Sequence, residues 1–486
     1  MNSPRSRAFQ NGMQKKNLIV AAGVSALAVF LFVAMRGRSG NDEGIARRLA
    51  REEQQVRATR KEELEGSEVE VVTDSLQLTE RLIAEHDDSR GTWFVTARES
   101  PAFIELPFTP PATGSLVDDA PLASSSESAN PGFLGADACR ECHQEKHEGF
   151  VHTAHHKTSG VVGSSAMHGH FSGPQSEMKT KDPILSFEMR QKGDQYLQQV
   201  NFADYELDFP LSVFTGSAKT GQTFLYWHQD ELYQAFVSYL TEFDEWIPSP
   251  GYTDRRVDYS RRIRTECLEC HVTYIERKRP PNVYKPETAI WGISCERCHG
   301  PGREHVDYHR AHPDEKIARH IVQPSDLPRQ RQLDICAQCH SGSFTFVGGA
   351  FEFRPGDDIT KFHRAINPNA RGVGGIHTSN QLTRLSMSKC FQESEMTCTS
   401  CHDPHVNQRG NRQVFTANCQ SCHQPEHCGM AKELGSTLAD NCIDCHMPIG
   451  DNENMTLRVS GGSFTVRMID HYIRIDEKAT AEYLSK

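Results

Sequence analysis

The chain is short of apolar side chains. Hydrophobic residues make up 37% of its 486 positions and aromatics 8%. With glycine counted and tyrosine left out, the apolar share is about 42%, against ~45–50% in ordinary globular domains. A chain this long, with room for about three domains, must then be partly disordered or fill its core with something besides side chains. It also lacks an excess of positive charge. Lys and Arg number 53 against 64 Asp and Glu, a net charge of −11, which excludes the basic face of a nucleic-acid-binding protein. Cysteine, at 16 residues, falls far below the ~8–10% of a disulfide-stapled scaffold, so the spacing of the cysteines has to decide their role.

The N-terminus reads as a membrane signal anchor over residues 1–38. Arg5, Arg7, Lys15 and Lys16 precede an apolar run from Leu18 to Met35, and Arg36 and Arg38 follow it. Its 18 residues are close to the ~20 needed to span a bilayer as a helix, and longer than the roughly 7–15 of a cleaved signal. The heavier positive charge before the run keeps the N-terminus cytoplasmic and exports the rest, so the body is expected to face the periplasm. Residues 39–132 read as a linker, first charge-rich and then Pro/Ser-rich, with too little apolar content to order itself. The folded body is expected over 133–486. Within it, alternating aromatic stretches over 184–243 predict a small set of strands. From Arg261 onward long periodicity gives way to short helical pieces, turns and Cys-His clusters.

The spacing Cys-x-x-Cys-His occurs seven times: Cys139, Cys142 and His143; Cys267, Cys270 and His271; Cys295, Cys298 and His299; Cys336, Cys339 and His340; Cys398, Cys401 and His402; Cys419, Cys422 and His423; Cys442, Cys445 and His446. Residue frequencies give roughly 0.03 chance occurrences of this pattern, which is that of c-type haem attachment. Two thiols on one helical turn can each form a thioether to a haem vinyl group. The histidine after the second is then held over the iron as the proximal ligand. Zinc ribbons pair Cys-x-x-Cys units without a following histidine, and a dithiol reductase needs one such motif. Seven covalently attached haem c (heme c) groups in 354 residues would supply the missing apolar core, and the body is expected not to fold without them. A second axial ligand for each of seven irons is affordable, since 24 histidines are present. The two remaining cysteines, Cys390 and Cys428, are expected to form a disulfide in an oxidising compartment.

The segments "ADACRECHQEKHEGFVHTAHHKT", "GISCERCHGPGREHV", "SKCFQESEMTCTSCHDPH" and "CIDCHMP" with the later "DHYIR" resemble the multihaem cytochromes related to the cytochrome c-554 family, which groups with hydroxylamine oxidoreductase. The likeness runs over residues 133–475. It implies closely paired haems with two histidine ligands each. The distal histidines would be His155, His305, His405, His377 and His471, with His168 or His170 for one further site. It departs from the catalytic relatives in having no lysine in place of a proximal histidine and no identifiable cross-linking tyrosine. The fold expected is a mainly α and irregular multihaem cytochrome c with a small β-containing insert and haems as its core. The function expected is electron transfer between redox partner proteins, either a quinol-linked complex or other cytochromes, with no nucleic acid. The alternative is an oxidoreductase in which one open haem site acts on a small nitrogen or sulfur compound, with Arg261–Thr265, Arg354–Asp358 or Lys361–Arg364 lining a charged pocket. A purely structural role for the haems is the third reading.

Overall fold

The computed structural model describes residues 74–111 and 130–485, apart from 254, 279–281, 343 and 366–374. All of these belong to one compact unit, Thr73–Lys486. The anchor run Leu18–Met35 and most of the Pro/Ser-rich stretch lie outside the described residues. Among the described residues, no helix is long and apolar enough to cross a membrane.

The expected mainly α architecture is overturned, because the fold is β-rich. Twenty strands occur among the described residues, whereas the helices run from four to twelve residues. Three sheets carry the first half. Strands Ser75–Gln77, Leu82–Asp87, Thr92–Ala97 and Phe103–Leu106 form an antiparallel meander, extended in parallel by Arg256–Asp258. Strands Glu177–Lys179, Leu185–Lys192, Gln195–Phe202 and Tyr205–Leu211 form a second antiparallel sheet. A third runs Glu245–Pro248, Glu231–Leu240, Gly221–His228, Val213–Thr215 and Ser159–Val161 in spatial order. Ten strands therefore separate the first two attachment motifs, where a small insert was expected.

The folded body also begins earlier than residue 133. Leu82, Ala84, Val95, Ile104 and Leu106 in the charged stretch are fully buried. In Leu82–Asp87 the buried positions are Leu82 and Ala84, and Glu85 is exposed, while Glu105, between Ile104 and Leu106, is buried and paired with Arg256 at 2.8 Å. Period-2 alternation allows a strand rich in charge to contribute a full apolar face, which composition averages away.

Side chains, not haem, form the core of this half. One cluster joins all three sheets through Leu82, Ile104, Phe187, Phe202, Phe209, Tyr226, Phe236 and Tyr259. Phe209 and Tyr259 stack with ring centroids 3.6 Å apart and planes 4° off parallel, and the Tyr259 hydroxyl donates to Gln198 Oε1 at 2.8 Å. A second cluster runs from Val213, Leu225 and Trp227 of the third sheet onto Leu268, Val272 and Ile275 at the second motif. Beyond it the clusters among the described residues are small, such as Leu333, Leu385 and Phe391. Short helices end in the motif histidines: Thr265–His271, Glu296–His299, Arg329–His340 and Ile443–His446.

Candidate haem-binding site

Each attachment motif is a turn of helix that places its first cysteine and its histidine together. The His143 N–H donates to the Cys139 carbonyl at 2.9 Å, and the same bond closes the motifs at His299, His402, His423 and His446 at 3.0–3.1 Å. The remaining two motifs lie inside the helices Thr265–His271 and Arg329–His340. Every Cys-x-x-Cys-His unit thus presents two thiols and an imidazole on one local surface.

The imidazoles are also oriented from behind. The Nδ1–H of His299 is given to the Val322 carbonyl at 2.9 Å, and that of His446 to Arg474 O at 2.9 Å. His340 Nδ1 meets Gln381 Oε1 at 2.9 Å, and His271 Nδ1 meets Thr158 O at 3.2 Å. With Nδ1 bonded to an oxygen, Nε2 is left as the metal-binding nitrogen.

Four of these histidines face a second imidazole from a distant part of the chain. His143 stands 6.3 Å from His305, His340 6.1 Å from His155, His299 6.2 Å from His405, and His402 6.2 Å from His471, centroid to centroid. An imidazole nitrogen binds a metal at about 2 Å and lies about 1 Å from its ring centroid, so two rings trans on one ion sit about 6 Å apart. Ordinary ring packing also reaches this spacing, as in Phe108 with Phe209 at 6.2 Å, but in these four pairs both rings are imidazoles and one belongs to an attachment motif. The residues present fit two-histidine haem ligation. Burial agrees, since it pushes His155 down to about 4, with His340 and His402 adding to the shift, and His471 likewise to about 4. A neutral imidazole is what a metal requires.

His155, His305, His405 and His471 are therefore each brought opposite a motif histidine. His377 is not among these ring pairs. Its Nδ1 bonds Ser379 Oγ at 2.8 Å in the segment that docks on the fourth motif. His168 is not brought to any motif either. Its backbone N–H donates to Gln222 Oε1 at 2.7 Å in the β half, and the adjacent His170 pairs with Asp244 at 2.8 Å. Cys390 and Cys428 are both free thiols. Cys390 lies near Cys401 and Cys419, whereas Cys428 lies near Cys445. The expected disulfide is absent because the two cysteines sit against different motifs.

Sequence reasoning missed the residues between the cysteines. Glu269 and Arg297, from the second and third motifs, form a buried ion pair at 3.0 Å with side chains 6% and 5% exposed. Glu269 also accepts the Phe351 N–H. Glu296 is 2% exposed and accepts N–H groups from Leu134, Gly135 and Gly302 at 2.8–2.9 Å. It ties the entry to the first motif onto the exit from the third. Charged residues inside "CLECH" and "CERCH" were the available signal, because the space around an attached haem leaves such positions little solvent.

These bonds pack the motifs against one another. The sulfurs of Cys139 and Cys295 are neighbours, as are those of Cys270 and Cys339, Cys336 and Cys398, and Cys419 and Cys442. Asn418 Nδ2 donates to the Cys401 carbonyl at 3.0 Å, and Gln338 Nε2 to Arg297 O at 3.4 Å.

The family model for cytochrome c554 and c-prime matches residues 227–300, which include the second and third motifs. A multiheme cytochrome MtrA from Shewanella baltica (strain OS185) is 24% identical over 209 residues, 40% of this chain and 48% of that one. The chain thus spans about half the length of this curated relative. The crystal structure of an outer cell wall cytochrome, OcwA, superposes with a TM-score of 0.46 at 14% identity, over 73% of this chain and 82% of that one. With its repeated attachment motifs and paired imidazoles, the chain resembles the multihaem c-type cytochromes in sequence.

Proposed function

We propose that the chain is a heptahaem electron conduit. Each Cys-x-x-Cys-His motif holds one haem, and the body is exported and tethered by the Leu18–Met35 segment. Each bound haem supplies a one-electron Fe(III)/Fe(II) centre. The chain's own residues attach it, orient both imidazoles and exclude water. The partners on this reading are a quinol-linked complex or other cytochromes, met at the conduit's ends.

The observation that carries this reading is the contact order of the motifs. The first meets the third where Glu296 accepts the N–H groups of Leu134 and Gly135, and the third meets the fourth where Gln338 Nε2 donates to Arg297 O at 3.4 Å. The fourth meets the fifth through Cys336 and Cys398, the fifth meets the sixth through Cys401 and Cys419, and the sixth meets the seventh through Cys419 and Cys442. The second joins both the third, through the Glu269–Arg297 ion pair, and the fourth, where Cys270 Sγ lies 3.9 Å from Gln338 O. Such a series, with the second motif at its side, supports sequential hopping, with ends at the first and seventh motifs. Cys142 of the first motif, Cys267 of the second and Cys422 of the sixth are exposed, whereas Cys445 of the seventh is buried.

Electron paramagnetic resonance of the oxidised protein, with total haem quantified in the same sample, tests this reading. Seven haems per chain with low-spin ferric signals only are expected. Fewer haems would overturn the count. A high-spin signal approaching one iron per chain would replace the pure carrier with an enzyme bearing an open site.

A further inference from the structure

The ligand imidazoles differ in what their second nitrogen meets. Those of His299, His305, His446 and His471 give it to neutral backbone carbonyls, at Val322, Arg319, Arg474 and Ile469. His340 meets the neutral amide of Gln381. Among the described residues, His405 alone of the motif and facing histidines gives Nδ1–H to a carboxylate, Asp403 Oδ1, at 2.9 Å. Asp403 follows His402 directly, so the four residues His402–His405 carry the proximal imidazole of the fifth motif and the imidazole facing His299 of the third.

The geometry points to Asp403 as a positioning residue that lowers the reduction potential of the third-motif haem. This inference rests on the assignment of His299 and His405 as its two ligands. A carboxylate accepting the ring N–H makes the imidazole a stronger donor than a carbonyl does, and a stronger donor stabilises Fe(III) over Fe(II). Asp403 is built in rather than adventitious. Its Oδ1 also accepts the His405 backbone N–H at 2.9 Å, and its own N–H donates to Gln408 Oε1 at 2.8 Å. On the far side, a Cβ at Gly149 would lie 2.6 Å from the His405 carbonyl, so the helix Gln144–Phe150 closes on this segment and holds the ring in place. The Asp403 side chain is 41% exposed and Lys146 lies within electrostatic reach, so its field is screened. The third haem is the second station of the series, where a lowered potential keeps the iron oxidised while its neighbours fill.

Asp403→Asn isolates the charge, because an asparagine oxygen accepts the same two N–H groups. A spectroelectrochemical titration of the haem-loaded full chain should show one reduction step moving upward by up to about tenfold in its equilibrium, about 59 mV for one electron. The other steps, the haem count and the low-spin signals should stay unchanged. The reciprocal variant Gln381→Glu offers a carboxylate to His340 and should lower a different step. Unchanged potentials in Asp403→Asn, or one shift spread evenly over all steps, would overturn the inference and leave Asp403 a turn former. A parent protein with fewer than seven haems or a high-spin iron would instead overturn the ligand assignment, so the two failures are distinguishable.

Discussion

The segment that delivers His471 rests on one carboxylate. Asp470 is 1% exposed and is held by Arg384 Nε at 2.8 Å and by Arg474 Nη1 at 2.8 Å. Arg474 in turn supplies the carbonyl that orients His446, so one ion cluster serves two motifs. Burial pushes the Asp470 carboxyl up, but hydrogen bonds from Arg384, the Tyr472 N–H and Arg474 outweigh it and leave it below its ordinary value. A carboxyl depressed in the folded state adds stability above its unfolded pKa of about 3.9, and that contribution is lost as pH falls through the folded value. Asp470→Asn leaves two guanidinium groups partly uncompensated and should cost about 3–5 kcal/mol at neutral pH. Denaturant titrations at several pH values should find the gap to the parent closing below about pH 4. His155→Ala is a sharper probe, since it removes the ring facing His340 without touching any attaching cysteine. One low-spin ferric signal should convert to high-spin with the haem count per chain unchanged. If all signals stay low-spin, another ligand faces His340.

The strands and the motif helices rest on different physics. The strands Leu82–Asp87 and Phe103–Leu106 bury one apolar face and need no cofactor. Phe209, fully buried and stacked on Tyr259, lies in this core. Phe209→Ala should cost about 3–5 kcal/mol through lost burial and the cavity left behind. Near-ultraviolet circular dichroism of the tyrosines should change while the haem spectrum does not. A coupled loss of both would mean that the two halves fold as one cooperative unit. The helices Glu296–His299 and Ile443–His446 have only four residues each, too short to be stable alone. Their order comes from the tertiary contacts of Glu296, Arg297 and His446. The same contrast governed what could be read. The motif helices were legible because an attachment spacing is local, whereas the strands within Leu82–Leu106 are hidden in a charge-rich composition because charged and apolar side chains alternate along them.

At the scale of the whole molecule, the β half carries its own side-chain core, while beyond the second motif the clusters among the described residues are small, which revises the expectation that nothing folds without haem. Limited proteolysis of haem-free chain, read by mass spectrometry, should leave fragments from within residues 74–260 and digest the motif region. Uniform digestion of both halves would show that the β half depends on haem as well. The sequence by itself determined the cofactor chemistry. Two thiols and a histidine on one turn are a covalent property of five consecutive residues, and repetition removes chance as an explanation. It also exposed the shortage of apolar residues over the chain as a whole. Only the tertiary structure decided which imidazole faces which. His155 meets His340 across 185 positions and His402 meets His471 across 69, and nothing in a local window separates these rings from His168 or His377. The order of the motifs in space, with the third beside the first and the second against both the third and the fourth, was likewise set by packing. Long-range contacts between buried charged and polar groups such as Glu269, Arg297 and Glu296 select one arrangement among many that the same spacing allows.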